Sequence, residues 1–180
     1  MNKSHALSHS LQSAIGEAAI LRLMNIGTHP RIAVLPAAGA WLAAGIVIAL
    51  VAMMATYAMG MGLFAAPAMI AGIVLGPQAA MSPQPLVIMS GLILHMALSM
   101  VFGVAFALLV ARVSAPIVAL GLAFGVALWL VNFYVLSFVS AGARAMAAHE
   151  PVWLAVLTHV IFGFVLSAIV ARATAAHAGT

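Results

Sequence analysis

The chain has 180 residues, of which 67% are hydrophobic and 4% charged, and it carries a net charge of +4. A soluble domain is about 45–50% apolar and about 25% charged, so this chain cannot cover itself in water, and its mean hydropathy of +1.28 calls for a lipid-facing surface. The absence of cysteine excludes disulfides, thiolate-held zinc, iron–sulfur clusters and thiol catalysis. The basic residues (Lys3, Arg22, Arg31, Arg112, Arg144 and Arg172) stand singly, so they form no patch for nucleic acid and no such partner is expected.

Residues 1–31 are mixed in character and read as an N-terminal tail. Leu11, Ile15, Ala18, Ala19 and Leu23 recur about one helical turn apart, with Gln12, Glu17 and Arg22 between them. That pattern suits a short amphipathic helix on the membrane surface, or else a tail without structure. No cleavable signal is evident, because the first apolar run begins near Ile32, behind this polar stretch.

The domain that follows, 32–172, reads as all-α, with four membrane spans. Crossing about 30 Å of hydrocarbon takes about 20 apolar residues. The first span is placed at 34–59, with Trp41 as an interfacial anchor. Gly60, Gly62 and Pro67 then break the helix, and 63–75 is too short to span, so it is expected to lie in or dip into the interface. Ser82-Pro83-Gln84-Pro85 reads as a loop before the second span, 86–111. The third span is placed at 116–140, behind Pro116, which suits a helix start. Residues 141–150 are expected to be a loop, and the fourth span runs 151–172 before a polar tail, 173–180.

Four spans with a cytoplasmic N-terminus put Lys3, Arg22, Arg31, Arg112 and Arg172 inside and only Arg144 outside. That is the positive-inside pattern, and a fifth crossing at 63–75 would destroy it. One internal similarity is visible: Phe102-Gly103 through Ala111-Arg112 matches Phe162-Gly163 through Ala171-Arg172. The two spans run the same way, so they are candidates for a parallel repeat.

Polar groups inside a bilayer are costly and are candidate functional residues. At about 1.5 Å per residue, His95, Asn132 and His159 all fall roughly 12–14 Å below the outer surface, in one layer. His95, Ser99 and Gly103 form one stripe at i, i+4 and i+8, and His159, Gly163 and Ser167 form another. Gly121 and Gly125 lie close to the face of Asn132. Such small-residue faces let helices approach, so Gly103, Gly121, Gly125 and Gly163 are candidates for helix packing. Asn132, Ser99 and Thr158 are available to hydrogen-bond the imidazoles, which makes the layer a structural network in the first instance. Two alternatives are a site handling protons or a solute, and a bis-histidine haem site between the second and fourth spans. No cofactor and no metal site are expected overall; the soft-ligand alternative is Met59 and Met61 for Cu(I). No triad, Walker motif or HExxH is present, and His149-Glu150 are merely adjacent, so no enzyme activity is expected.

Val131-Asn132-Phe133-Tyr134, His95-x3-Ser99-x3-Gly103 and His159-Val-Ile-Phe-Gly163 carry a resemblance. Over about residues 45–172 the chain resembles a group of small bacterial inner-membrane proteins of unknown function, often labelled "sodium:proline symporter". The resemblance implies a multi-pass location in the bacterial inner membrane and no particular site residues. Symporters of the broken-helix type are built on paired inverted repeats that four spans in one chain do not supply. The reading is therefore a structural or accessory membrane component in contact with lipid, as a homo-oligomer or within a larger complex. The alternative is a small channel or carrier working through the polar layer of His95, Ser99, Asn132, Thr158 and His159.

Overall fold

Hydrocarbon offers no partner for backbone N–H and C=O groups, so an apolar run must satisfy them internally by forming a helix. The computed structural model of the protein describes residues 34–178, and their side chains from 39 to 175. The expected surface helix within 1–31 lies outside the described residues. In chain order the helices are α1 (Val34–Ala58), α2 (Ala65–Leu75), α3 (Pro77–Ala80), α4 (Pro85–Val110) and α5 (Ile117–Leu130). A π-helical turn, Val131–Val135, joins α5 to α6 (Leu136–Val139). Then come α7 (Ala141–His149) and α8 (Val152–Ala178). Four helical stretches are long and apolar enough to cross a membrane: Gly39–Ala58, Pro85–Val110, Ile117–Val139 and Val152–Ala175.

The breaks follow local chemistry. Gly60 and Gly62 adopt φ of 75° and 100°, a left-handed region closed to most side chains, and they turn the chain between α1 and α2. Pro67 is no part of that break. It lies in the first turn of α2, where a missing N–H breaks no helical bond. Pro85 likewise opens α4.

One expectation is corrected. Residues 141–150 are not a loop, because Ala141–His149 is helical. Ser140 caps this helix by accepting from the Ala143 N–H at 3.1 Å. The short apolar segment expected at 63–75 forms the helix Ala65–Leu75 and is packed into the protein. Six residues of α2, from Ala66 to Gly72, are buried, and the helix packs against α4 and α7. Two boundaries also move: α8 continues through the stretch read as a tail, to Ala178, and Trp41 packs against the core rather than serving only as an anchor.

The long helices pack as α1 with α4 and α5 with α8, and α1 also meets α8. Small residues allow this. A Cβ added at Gly163 would lie 2.1 Å from the Gly121 carbonyl oxygen, and one at Gly125 would lie 2.4 Å from that of His159. At Gly103 it would meet the Trp41 Cβ at 2.3 Å. Ala44, Phe106, Phe162 and Leu166 form the centre of one apolar cluster. A second cluster, of Met69, Ala80, Phe133, Met146 and Ala155, fastens the short helices to the bundle. The short helices α2 and α7 lie at the same end of the bundle. There Gly142 sits so close to Gly72 that an added Cβ would fall 1.7 Å from its carbonyl oxygen.

Candidate functional site

Each of the four long apolar stretches brings a polar side chain to one cavity. On α8, the His159 Nδ1–H donates to the Ala155 carbonyl one turn back, at 2.7 Å. Its Nε2 accepts from Asn132 Nδ2 at 2.9 Å, so the ring is the neutral Nδ1–H tautomer with both nitrogens engaged. Asn132 stands in the π-helical turn, where the Leu136 N–H reaches back five residues to the Val131 carbonyl. Such wide turns re-aim side chains and frequently occur at functional sites. Phe133 follows Asn132 in that turn, and its ring meets the His159 ring edge-on at 6.1 Å.

His95 is bonded differently. Its Nε2–H donates to the Gly45 carbonyl on α1 at 2.9 Å, and its Nδ1 has no partner among the described residues. Of the three polar side chains expected to serve the imidazoles, only Asn132 does so. Thr158 is buried and donates to the Leu154 and Ala155 carbonyls of its own helix, both at 3.0 Å. Ser99 is buried against Gly45, with Oγ 2.8 Å from where a Cβ would stand. The glycines Gly121, Gly125 and Gly163 lie at the α5–α8 approach and Gly103 at that of α4 with α1.

These groups surround a cavity of about 120 Å³. His95, Ser99, Asn132, Thr158 and His159 all line it. Thr56 of α1 adds a further hydroxyl, and Phe102, Phe133 and Phe162 add rings. Ala66, Met69 and Ile73 of α2 and Met146 of α7 form part of its wall. The short helices therefore close the bundle at one end. The cavity exceeds the roughly 30 Å³ that one water occupies in the liquid, and its polar groups could hold several.

Glu150 also lines the cavity. It lies between α7 and α8, and its carboxyl has no hydrogen bond or ion pair among the described residues. Burial, which penalises the charged form, pushes its pKa up to about 7. At neutral pH it is thus poised between acid and carboxylate. Its contribution to folding stability is fully present below about pH 4.5 and is lost as pH rises through about 7. By sequence alone Glu150 reads as a loop residue beside His149. The available signal was that it is the chain's only acid besides Glu17.

Met59 and Met61 are exposed in the turn after α1 and do not line the cavity. No group of three or more His, Asp or Glu side chains among the described residues is arranged to hold a metal. For haem, His159 would have to give up its bond to Asn132 and His95 its bond to Gly45 if iron took their Nε2 atoms. No protein-family model matches the chain, and no curated protein or solved structure matches it.

Proposed function

We propose that the chain is a non-enzymatic, multi-pass protein of the bacterial inner membrane that works as a small carrier or channel, with the central cavity as its working space. The observation that supports this reading is the cavity itself, where polar groups from all four long apolar stretches meet an unpaired carboxyl. A layer serving only to join helices gains most when packed solid, because each void forfeits contacts. Both termini are placed in the cytoplasm. Arg112 and Arg172 lie toward the end of the bundle opposite Arg144, in keeping with the positive-inside pattern.

Flux measurements test the reading. Liposomes containing the protein and an entrapped pH dye should pass protons faster than protein-free liposomes under an imposed potential. Ala52 lines the cavity, and Ala52→Phe should abolish the excess flux. His159→Ala should alter it. Equal flux from wild-type and protein-free liposomes would remove proton conduction from the proposal.

A second reading, a structural or accessory component acting in an oligomer or larger complex, has its own support. The Asn132–His159 and His95–Gly45 bonds tie helices together with no ligand required. Purification in mild detergent, followed by mass measurement, separates the two: a stoichiometric partner or a stable oligomer without flux favours the second.

A further inference from the structure

Charged side chains are almost never buried without a partner, and each exception calls for an explanation. Glu150 is half-buried, lines the cavity and has no hydrogen bond or ion pair among the described residues, and the other walls of its cavity sharpen the case. No lysine or arginine lines the cavity, so an anion would meet the carboxylate with nothing to offset it. Three phenylalanine rings line it, and aromatic faces attract cations. The other ionisable groups lining it are His95 and His159, and in the described hydrogen bonds the His159 ring is neutral. Helices α1, α2 and α5 bring no acid or base to it. On α7, His149 is bonded to the Ala145 carbonyl and Arg144 to that of Ser137.

Size narrows the class further. A cavity of about 150 Å³ accepts benzene, so a volume of about 120 Å³ suits a body of about one ring. We propose that this cavity binds a small organic cation, a compact amine with a single-ring or similarly sized apolar body, with Glu150 as its counter-ion. The proposal rests on the cavity being a solute site. The ammonium lies against the Glu150 carboxylate and the apolar body among the phenylalanines. Below pH 7 the site must release the Glu150 proton when it takes the cation, so binding and proton release are linked.

The test uses the full chain in lipid nanodiscs, with empty nanodiscs subtracted, and two probes of nearly equal size: benzylammonium and uncharged benzyl alcohol. Benzylammonium should bind saturably, one per chain. An alkyl ammonium, like that of lysine, stays charged from pH 6 to pH 8, so its affinity should rise about tenfold across that range as Glu150 ionises. Benzyl alcohol should bind more weakly and without that rise. Glu150→Gln should weaken benzylammonium about tenfold to a hundredfold, remove the pH dependence and leave benzyl alcohol unchanged. Ala52→Phe should abolish binding of both.

If benzyl alcohol binds as well as benzylammonium and Ala52→Phe removes both, the cavity is a solute site but the cation assignment is wrong. Failure of both probes to bind removes the solute site and the assignment with it. A pH rise that persists in Glu150→Gln assigns the titration to the histidines and overturns the counter-ion role. Should Glu150→Gln fold poorly, Glu150→Asp is the second variant. It keeps the charge on a shorter arm and should retain both the cation preference and the pH rise, and loss of either in a folded protein also overturns the proposal.

Discussion

In the first half of the molecule His95 reaches across from α4 to a backbone carbonyl on α1, whereas in the second half Asn132 reaches from the π-helical turn to the ring of His159 on α8. The halves otherwise share an order: a long apolar stretch, then short helical structure that includes α2 or α7, then a second long stretch. Helices α2 and α7 sit at the same end, and they meet where Gly72 faces Gly142. The Phe102 and Phe162 segments that match in sequence also touch, with ring centroids 6.5 Å apart and edge-on. The difference lies in how the long helices close. Gly121, Gly125 and Gly163 bring α5 and α8 backbone to backbone, while α4 meets α1 through Trp41 and Ser99 side chains. A backbone contact cannot be relieved by a rotamer change, so the α5–α8 pair should be the more rigid frame and the α1–α4 pair the more compliant.

The junction between the halves should be the most sensitive point. Gly142→Ala would set a methyl 1.7 Å from the Gly72 carbonyl oxygen, and only separation of α2 from α7 relieves that. A loss of about 3 kcal/mol is expected in reversible unfolding from mixed micelles. Near-wild-type stability would mean that the short helices move independently and do not close the cavity. Within the halves, Gly163→Ala should cost about 2–3 kcal/mol and Gly103→Ala about 1 kcal/mol. Gly163 faces a carbonyl held in its own helix, whereas Gly103 faces Trp41 near the start of α1, where the helix can shift. Equal losses would erase the proposed difference in rigidity.

The two histidines offer a finer contrast. Asn132→Ala leaves His159 Nε2 without its donor inside the bundle and should cost about 1–2 kcal/mol. His95→Phe removes a donor from the Gly45 carbonyl, an acceptor that the α1 helix can already satisfy, and should cost about 0.6 kcal/mol. The reverse order would make the first half the one that depends on its polar bond.

The long spans were legible because hydrophobicity alone decides them. The sequence reading places the second span at 86–111, and the structure places it at Pro85–Val110. Neither short helix was legible in the same way. In Ala141–His149, alanines, Arg144 and a glycine look like a polar connection, and its partner, α2, is far away in sequence. The buried faces of α2 and α7 exist only once they meet, through Gly72 and Gly142, and no periodicity announces such a meeting. The polar layer was legible as a shared depth for His95, Asn132 and His159. Its wiring was not, because a backbone acceptor such as the Gly45 carbonyl leaves no mark on residue type. The cavity was hidden for a related reason: a void belongs to every helix that surrounds it and to no segment of the chain.

Arg144 carries the smallest expected effect and still bears on the comparison. Its Nη1 donates to the Ser137 carbonyl at 2.6 Å, satisfying an acceptor near the end of α6, where the helical ladder leaves carbonyls free. The side chain is exposed, so water can replace it at little cost. Arg144→Ala should therefore lower stability by about 0.5 kcal/mol. Hydrogen exchange should quicken at the α6–α7 junction and remain unchanged at Gly121, Gly125 and Gly163. A loss above about 2 kcal/mol would show that α7 is held by this one side chain and not by its contact with α2. In that case the second half would owe its closure to a surface cap, and the rigidity ascribed to its glycines would have to be withdrawn.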